Sequence, residues 1–186
     1  VKAHTRRRRR VLLADELRKL ITMTQESPDR YEMTGEDRAM LYRLAVETGL
    51  RAGELRSLTR ASFILDGDPP TVTVAAAYSK RRRDDTLPLR VVTATLLARH
   101  LEHKAPEATA FKVPSRHKMA GMIRADMKAA GVSTSEVDFH ALRHTFISNL
   151  AAGGVHPKTA QSLARHSTIT LTMDRYTHQH AGDELA

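Results

Sequence analysis

The segment Asp-Phe-His-Ala-Leu-Arg-His-Thr-Phe at residues 138–146 decides how this chain is interpreted. Leu142 and Phe146 recur at i and i+4, which predicts a helix with one buried apolar face. His140 and Arg143 lie one helical turn apart, so both can address the same ligand atom. Arginine and histidine are groups suited to phosphate. Similar groups occur on both sides of this segment.

The two histidines of the segment also allow other interpretations. His140 and His144 have the i, i+4 spacing of a zinc-binding metalloprotease helix. Ala141 stands where that motif has the glutamate that acts as base, so zinc hydrolysis is the weaker chemical hypothesis. A third interpretation is that the histidines form hydrogen bonds within a core.

Upstream, Thr-Gly-Leu-Arg-Ala-Gly-Glu-Leu at residues 48–55 marks a junction between two predicted helices. A junction directs side chains away from the packed faces, so Arg51 can enter a cleft. Glu54 follows one turn later and can hold the guanidinium of Arg51. The alternative is an exposed arginine whose i, i+3 ion pair contributes only about 0.2–0.5 kcal/mol.

A basic loop, Ser-Lys-Arg-Arg-Arg-Asp-Asp at residues 79–85, follows between two predicted strands. A hairpin tip of this kind can reach into a groove of DNA, and Arg81, Arg82 and Arg83 are predicted to bind the DNA backbone. The ammonium group of Lys80 can release its proton, unlike a guanidinium, so Lys80 can act as a general acid. The alternative is a solvated turn whose own aspartates are the counterions.

Near the C-terminal end, His166 lies just beyond one predicted helix and Tyr176 closes the next. Ser167 or Thr168 is placed to cap the start of that second helix. Two short helices joined by a tight turn also resemble a helix-turn-helix, so a DNA-binding protein without catalysis is an alternative. A single tyrosine near a terminus is usually a packing residue.

Composition excludes several classes of protein. The 186 residues are 41% hydrophobic and 27% charged, which is typical of a folded domain and excludes disordered and fibrous proteins. The absence of cysteine excludes disulfides, thiolate metal sites and a cysteine nucleophile, and fits a reducing compartment. The apolar stretches are too short to span a bilayer and no signal peptide is visible, so we expect a cytoplasmic protein with no membrane association.

The charge is strongly basic and unevenly distributed. The formal net charge is +9 and the sequence pI is about 10.2, which indicates an acidic partner such as nucleic acid. Residues 1–10 contain six basic residues and no acidic one. We expect residues 1–11 to form a basic linker or arm, because adjacent like charges repel one another. The residues of this arm predicted to bind DNA are Arg6, Arg7, Arg8, Arg9 and Arg10.

The hydrophobic pattern predicts an α+β fold, mostly helical with one small three-stranded antiparallel sheet. Short β-branched segments separated by turn residues predict the strands. The strands are expected at 63–65, 71–75 and 86–89. The helices are expected at about 13–22, 36–48, 52–58, 91–102, 115–130, 140–152, 157–165 and 168–174.

Taken in this order, these residues resemble the tyrosine recombinases of the phage integrase family. The resemblance covers about residues 12–180. Four motifs support it, and their co-occurrence is far more specific than any one of them. They are Thr-Gly-Leu-Arg-x-x-Glu-Leu, the hairpin lysine before Leu87-Pro88-Leu89, His-x-Leu-Arg-His-Thr-Phe, and a final His-Ser with a Tyr-Thr-His downstream.

The resemblance implies a site-specific recombinase or integrase of a phage or mobile element. Such an enzyme cleaves and rejoins double-stranded DNA through a covalent 3′-phosphotyrosine, without a metal or other cofactor. Glu54 would support the activating residues, and Tyr176 would be the nucleophile. The implied activating residues are Arg51, Lys80, His140, Arg143 and His166.

The resemblance also implies an organisation. Residues 12–186 would be the catalytic domain, and residues 1–11 would link it to an N-terminal core-binding domain that is absent from this chain. We expect a monomer that forms tetramers on DNA and is associated with the nucleoid. A type IB topoisomerase is the nearest alternative.

One position departs from the family pattern. Arg165 stands immediately before His166, where the family commonly has glycine. The larger side chain is expected either to alter the turn that presents His166 or to add a contact to phosphate.

Overall fold

A computed structural model describes residues 10–79 and 82–173. Lys80, Arg81 and Tyr176 lie outside these ranges. Within them, the helices are α1 (Ala14–Gln25), α2 (Gly35–Thr48), α3 (Ala52–Ser57), α4 (Val91–Leu101), α5 (Arg116–Ala129), α6 (Ala141–Ala152) and α7 (Pro157–Leu163).

Most helix bounds lie within one residue of the predicted ones, and differences of two or more residues occur at α1, α7 and the last helix. Helix α1 continues three residues past the predicted end to Gln25. Helix α7 ends at Leu163, two residues early, because Arg165 adopts a left-handed backbone conformation with φ of 54°. A further helix begins at Thr170. None of the helices in the described ranges has the length and apolarity needed to cross a bilayer.

The strands form the predicted antiparallel meander, which confirms the α+β fold. The strands β1 (Phe63–Ile64), β2 (Thr71–Val74) and β3 (Asp85–Pro88) pair in the order β1-β2-β3. Val72 lies opposite Phe63 on one side and Leu87 on the other, and all three side chains are buried. One face of the sheet therefore packs against the core. The basic loop joins β2 to β3.

Helix α6 is buried around most of its circumference. Leu142 belongs to the main core, whereas Phe146 and Ile147 form a smaller cluster with Ala164, just beyond α7. The backbone N–H of Leu12 donates to the Thr145 hydroxyl at 3.0 Å, which joins the segment before α1 to this helix. Packing on several sides fixes α6, and with it the arginine at its first turn.

Helix α2 is held to α5 by a buried ion pair. The guanidinium of Arg38 donates to the Asp126 carboxylate with Nε to Oδ2 at 2.9 Å, and both side chains are fully buried. The hydroxyl of Tyr42 donates to the same carboxylate at 2.8 Å. Burial, followed by the charge of Asp126, raises the pKa of Tyr42 well above its usual range. This cluster fixes α2, whose C-terminal end reaches the functional site.

Gly49 allows the end of α2 to approach α6. It caps α2 in the left-handed conformation with φ of 63°, and a Cβ atom at this position would overlap the ring of Phe146. Glycine therefore satisfies two requirements here, one conformational and one steric. The close approach also brings the Gly49 carbonyl to α6.

Gly49→Ala is expected to lower the free energy of unfolding by more than the cost of the left-handed conformation alone. That conformation costs an L-residue about 1–2 kcal/mol, and overlap in a packed region adds about 1–3 kcal/mol. Gly131→Ala is the matched control, because Gly131 has φ of 68° and open space around its Cβ position. Urea denaturation of both variants measures the difference. Equal losses of unfolding free energy would contradict the steric role of Phe146.

Candidate functional site

Arg143 lies at the centre of the site and is almost completely buried. It occupies the first turn of α6 with 3% of its surface exposed. Its Nη1 donates to the Gly49 carbonyl at the end of α2, and its Nη2 donates to the Ala164 carbonyl at the end of α7. Both acceptors are C-terminal helix carbonyls, where a cation is favoured. Arg143 thus joins three helices at one point.

Arg51 and Glu54 are in contact, as their i, i+3 spacing predicts. Arg51 is the N-cap residue of α3, and its Nη1 donates to Glu54 Oε1 at 3.0 Å. The backbone N–H of Arg51 donates to Glu54 Oε2 at 2.7 Å. The Glu54 side chain is buried, whereas that of Arg51 remains 31% exposed. The carboxylate therefore orients a guanidinium that solvent, or a ligand, can still reach.

Arg165 brings a second guanidinium to the same carboxylate. Its Nη2 donates to Glu54 Oε2 at 2.7 Å, and its side chain is 2% exposed. Its Nη1 lies 3.9 Å from Asp85 Oδ2 at the start of β3. The departure from the family pattern therefore alters the turn only by placing a non-glycine residue in a left-handed conformation, and the side chain turns inward.

The charges of the cluster act on one another. Burial, then the charges of Arg51 and Arg165, lower the pKa of Arg143 to about 9, against a smaller opposing effect of Glu54. Burial raises the pKa of Glu54, but the charge of Arg165 and hydrogen bonds from Arg51 and Arg165 outweigh it, and the net direction is downward. At pH 7 all four groups are charged. Their excess of positive charge favours an anion.

His166 is presented at the turn after α7. Its Nδ1 lies 3.0 Å from the Thr172 hydroxyl in the following helix, and its ring is half-buried. The backbone carbonyl of Ala164, two residues earlier, accepts from Arg143. The turn thus places His166 next to the residues that hold the central arginine.

His140 is the N-cap residue of α6, one turn before Arg143. Its ring lies edge-on to that of His144, with 5.0 Å between the ring centroids. Among the described residues, no group of three or more His, Asp and Glu side chains is arranged to hold a metal ion. The structure gives the zinc interpretation no third ligand within residues 10–79 and 82–173.

The basic residues predicted to bind DNA differ in their surroundings. Arg10, assigned to the arm, forms a bidentate pair with Glu16 at 2.7 and 3.0 Å, and its Nη2 also donates to the Ser133 carbonyl at 2.6 Å. The guanidinium is therefore anchored on the domain. Arg82 and Arg83 are exposed on the hairpin. The predicted site residues that lie outside the described ranges are Arg6, Arg7, Arg8, Arg9, Lys80, Arg81 and Tyr176.

The sequence interpretation missed two residues beside the site. Asp85 is 7% exposed, and Ser79 donates to its Oδ2 at 2.7 Å across the base of the hairpin loop. The sequence predicts only a counterion within a solvated turn at this position. The contact of Asp85 with Arg165 joins residues far apart in the chain, so no local pattern predicts it.

Comparison with known proteins supports the resemblance. The fold is similar to the catalytic domain of bacteriophage HP1 integrase, with a TM-score of 0.69 and 22% identity over 92% of this chain and 88% of that one. It is also similar to the XerH site-specific recombinase bound to palindromic difH, with a TM-score of 0.73 and 20% identity over 90% of this chain and 49% of that one. The model of the phage integrase family matches residues 10–182, and the chain belongs to this family.

Two curated relatives have related sequences. A tyrosine recombinase of Thermosipho africanus (strain TCF52B) is 28% identical over 91% of this chain. Tyrosine recombinase XerD of Bifidobacterium longum (strain NCC 2705) is 28% identical over 90% of this chain. The chain spans 58% of the length of each relative.

Glu54→Gln is expected to lower the free energy of unfolding by about 3–5 kcal/mol, because it leaves buried Arg165 without its hydrogen-bonded counterion. Urea denaturation at pH 7 measures this loss. Because the folded state lowers the pKa of Glu54, its contribution is present above the ordinary value of 4.5 and is lost as the pH falls through the lower folded value. The gap between wild type and variant should therefore shrink in acid.

Asp15→Asn is the matched control for that experiment. Asp15 and Arg18 form an i, i+3 pair at the same 3.0 Å, but both side chains are at least 75% exposed. Its loss should cost less than about 1 kcal/mol. Equal losses in the two variants would show that the buried carboxylate has no special role.

Proposed function

We propose that this chain is the catalytic domain of a site-specific recombinase that cleaves and rejoins double-stranded DNA through a 3′-phosphotyrosine intermediate. One observation carries the proposal. The charges of Arg51 and Arg165 act on the buried Arg143, at the junction of three helices, in a chain of the phage integrase family. A phosphodiester is the anion that this family's chemistry requires.

In this proposal Arg51 and Arg143 bind the non-bridging oxygens of the scissile phosphate. Attack on a phosphodiester adds negative charge in the transition state, and fixed guanidinium groups stabilise that charge. Arginines at phosphoryl-transfer sites can contribute about 10³–10⁵ in rate. Glu54 orients one guanidinium, and two helix carbonyls orient the other, so little reorganisation is needed when DNA binds.

His166 supplies a further hydrogen bond to the phosphate in this proposal. Its Nδ1 lies 3.0 Å from the Thr172 hydroxyl, and the proposal assigns Nε2 to the substrate. His140 organises the other side and accepts the proton of the nucleophile. Both roles come from the family motif together with the positions of these residues on either side of Arg143.

The covalent step is assigned to Tyr176 and Lys80 on the family motif alone. The phenol, with an ordinary pKa of about 10, loses its proton to His140 as its oxygen attacks phosphorus. The bond from phosphorus to the 5′ oxygen breaks, and Lys80 donates a proton to that oxygen. The phosphotyrosine keeps the bond energy, so a 5′ hydroxyl can reverse the reaction without ATP.

The binding partner, the oligomeric state and the location in the cell are also proposed on membership of the family. Similar structures include XerH bound to difH and Tn1549 integrase in complex with circular intermediate DNA, although identities below 25% establish only the fold. We propose double-stranded DNA as the partner, a tetramer as the active assembly and the cytoplasmic nucleoid as the location. Exposed Arg82 and Arg83 are assigned to the DNA backbone, so binding should weaken steeply with salt.

Tyr176→Phe is expected to abolish covalent attachment to DNA, because the attacking oxygen is removed. The substrate is a pool of duplexes with a randomised central segment, each nicked so that the short 5′-hydroxyl strand diffuses away after cleavage. Adducts that survive detergent are captured and sequenced, which also identifies the site. Tyr31→Phe is the control, because this tyrosine is 37% exposed and is assigned no role. An adduct equally abundant in Tyr176→Phe would overturn the proposal.

The same material separates the alternative activities. Relaxation of supercoiled plasmids of any sequence by the monomer would indicate a type IB topoisomerase instead. Sequence-specific DNA binding with no adduct in the wild type would indicate a DNA-binding protein without catalysis. DNA cleavage without an adduct that is lost in the presence of a chelator would indicate a metal-dependent hydrolase.

Lys80→Ala is expected to slow cleavage of the selected duplex by about 10²–10⁴-fold, since the 5′ oxygen leaves without a proton. Replacing that oxygen by sulfur removes the need for the proton, so the variant should then cleave within about tenfold of the wild type. Arg143→Ala is the control, because its loss affects the non-bridging oxygens and sulfur should not restore it. Equal defects of Lys80→Ala on both substrates would exclude Lys80 as the acid.

A further inference from the structure

Arg165 occupies a position that favours glycine. Its N–H donates to the Ser162 carbonyl at 3.0 Å, and the N–H of His166 donates to the Gln161 carbonyl at 3.1 Å. These two bonds form a Schellman motif that ends α7, with Arg165 at its left-handed position. An L-residue there is strained relative to glycine. The turn itself therefore gives no reason for an arginine.

The side chain of Arg165 gives a reason for an arginine, because on one side it forms an ion pair with Glu54. The contact between Nη2 and Glu54 Oε2 is 2.7 Å long and joins two side chains that are 2% and 3% exposed. Oε1 of the same carboxylate accepts from Arg51. Arg165 is therefore adjacent to His166 in the chain, and it shares the Glu54 carboxylate with Arg51.

On its other side Arg165 faces the hairpin. Its Nε and Nη1 are buried and have no hydrogen-bond partner among the described residues, and Nη1 lies 3.9 Å from Asp85 Oδ2. That oxygen also accepts from Ser79, the residue immediately before Lys80 in the sequence. Oδ1 of the same carboxylate lies 3.7 Å from Nε of Arg83, so Asp85 at the base of the loop faces a cation of the loop itself and, in Arg165, a cation from the end of α7.

We propose that Arg165 is a positioning residue that ties the base of the Lys80 hairpin, through Asp85, to the Arg51 and Glu54 pair. The tie fixes Ser79 and Asp85, the described residues on either side of the loop, beside the Arg51 and Glu54 pair. Its catalytic consequence is that Lys80, assigned as the general acid on the family motif, depends on this tie. A direct contact of Arg165 with phosphate is the less favoured role, because its side chain is buried and already bonded to Glu54. The catalytic part of this proposal rests on the proposed function, whereas the mechanical part does not.

The mechanical part is tested by hydrogen exchange on the full chain. Arg165→Gly suits the test because glycine fits the left-handed turn, so the variant should fold. Loss of the tie should speed amide exchange in residues 75–88 by at least about tenfold, with no change in α5. Asp85→Asn should reproduce this effect. Asparagine also tolerates the left-handed conformation, so Arg165→Asn removes the charge without new strain. Its rates of amide exchange should match those of Arg165→Gly.

The catalytic part is tested with the oxygen and sulfur substrates of the selected duplex. A displaced general acid should lower cleavage of the oxygen substrate by about 100-fold in Arg165→Gly. Sulfur at the leaving position should largely restore cleavage, as in Lys80→Ala, and DNA affinity should remain within about threefold of the wild type. Arg165→Lys should recover part of the rate, since it keeps a cation near Glu54.

Each part of the proposal can be contradicted without the other. Unchanged exchange in residues 75–88 of Arg165→Gly would overturn the tie, whether or not the protein cleaves DNA. Faster exchange with a cleavage defect that sulfur does not restore would overturn the link to the general acid and favour a contact with phosphate. If the wild type forms no adduct, the proposed function fails, and the exchange experiment alone decides whether Arg165 anchors the hairpin.

Discussion

The buried guanidinium of Arg143 is the interaction on which the arrangement of the site depends. It donates to the carbonyl groups that end α2 and α7, and it is itself placed by α6. A group proposed to bind substrate is therefore also a structural cap for two helices. Five N–H donors in a fixed plane permit both tasks, which the three donors of a lysine on a flexible stem do not. Substitution of Arg143 is expected to disturb folding and chemistry together.

The electrostatics of the cluster follow from that burial. Arg51, Arg143 and Arg165 are balanced by the carboxylates of Glu54 and Asp85. Arg83 also lies 3.7 Å from Asp85, so positive charge exceeds negative charge in this part of the structure. Burial, followed by the charges of Arg51 and Arg165, lowers the pKa of Arg143. In the proposed function, a phosphate would relieve this repulsion and would meet a site that is already formed.

Much of the architecture could be predicted from local sequence. The period of the apolar residues indicated the helices, and short β-branched segments with turn residues between them indicated the sheet. The spacing of Arg51 and Glu54 indicated their contact. The inward orientation of Arg165 could not be predicted, because it depends on a partner 111 residues earlier. The same holds for the contact of Asp85 with Arg165, which lies just beyond α7. Long-range pairs of charges leave no periodic signal.

The turn that ends α7 has a consequence for how such sequences diverge. Residues 54, 85 and 165 interact as a set, so selection acts on the combination and not on each position alone. An ancestor with glycine at 165 gains nothing from an arginine unless both acids already face the turn. An aligned family should therefore show arginine at this position inherited together with the acid at 85, as a marker of a distinct lineage.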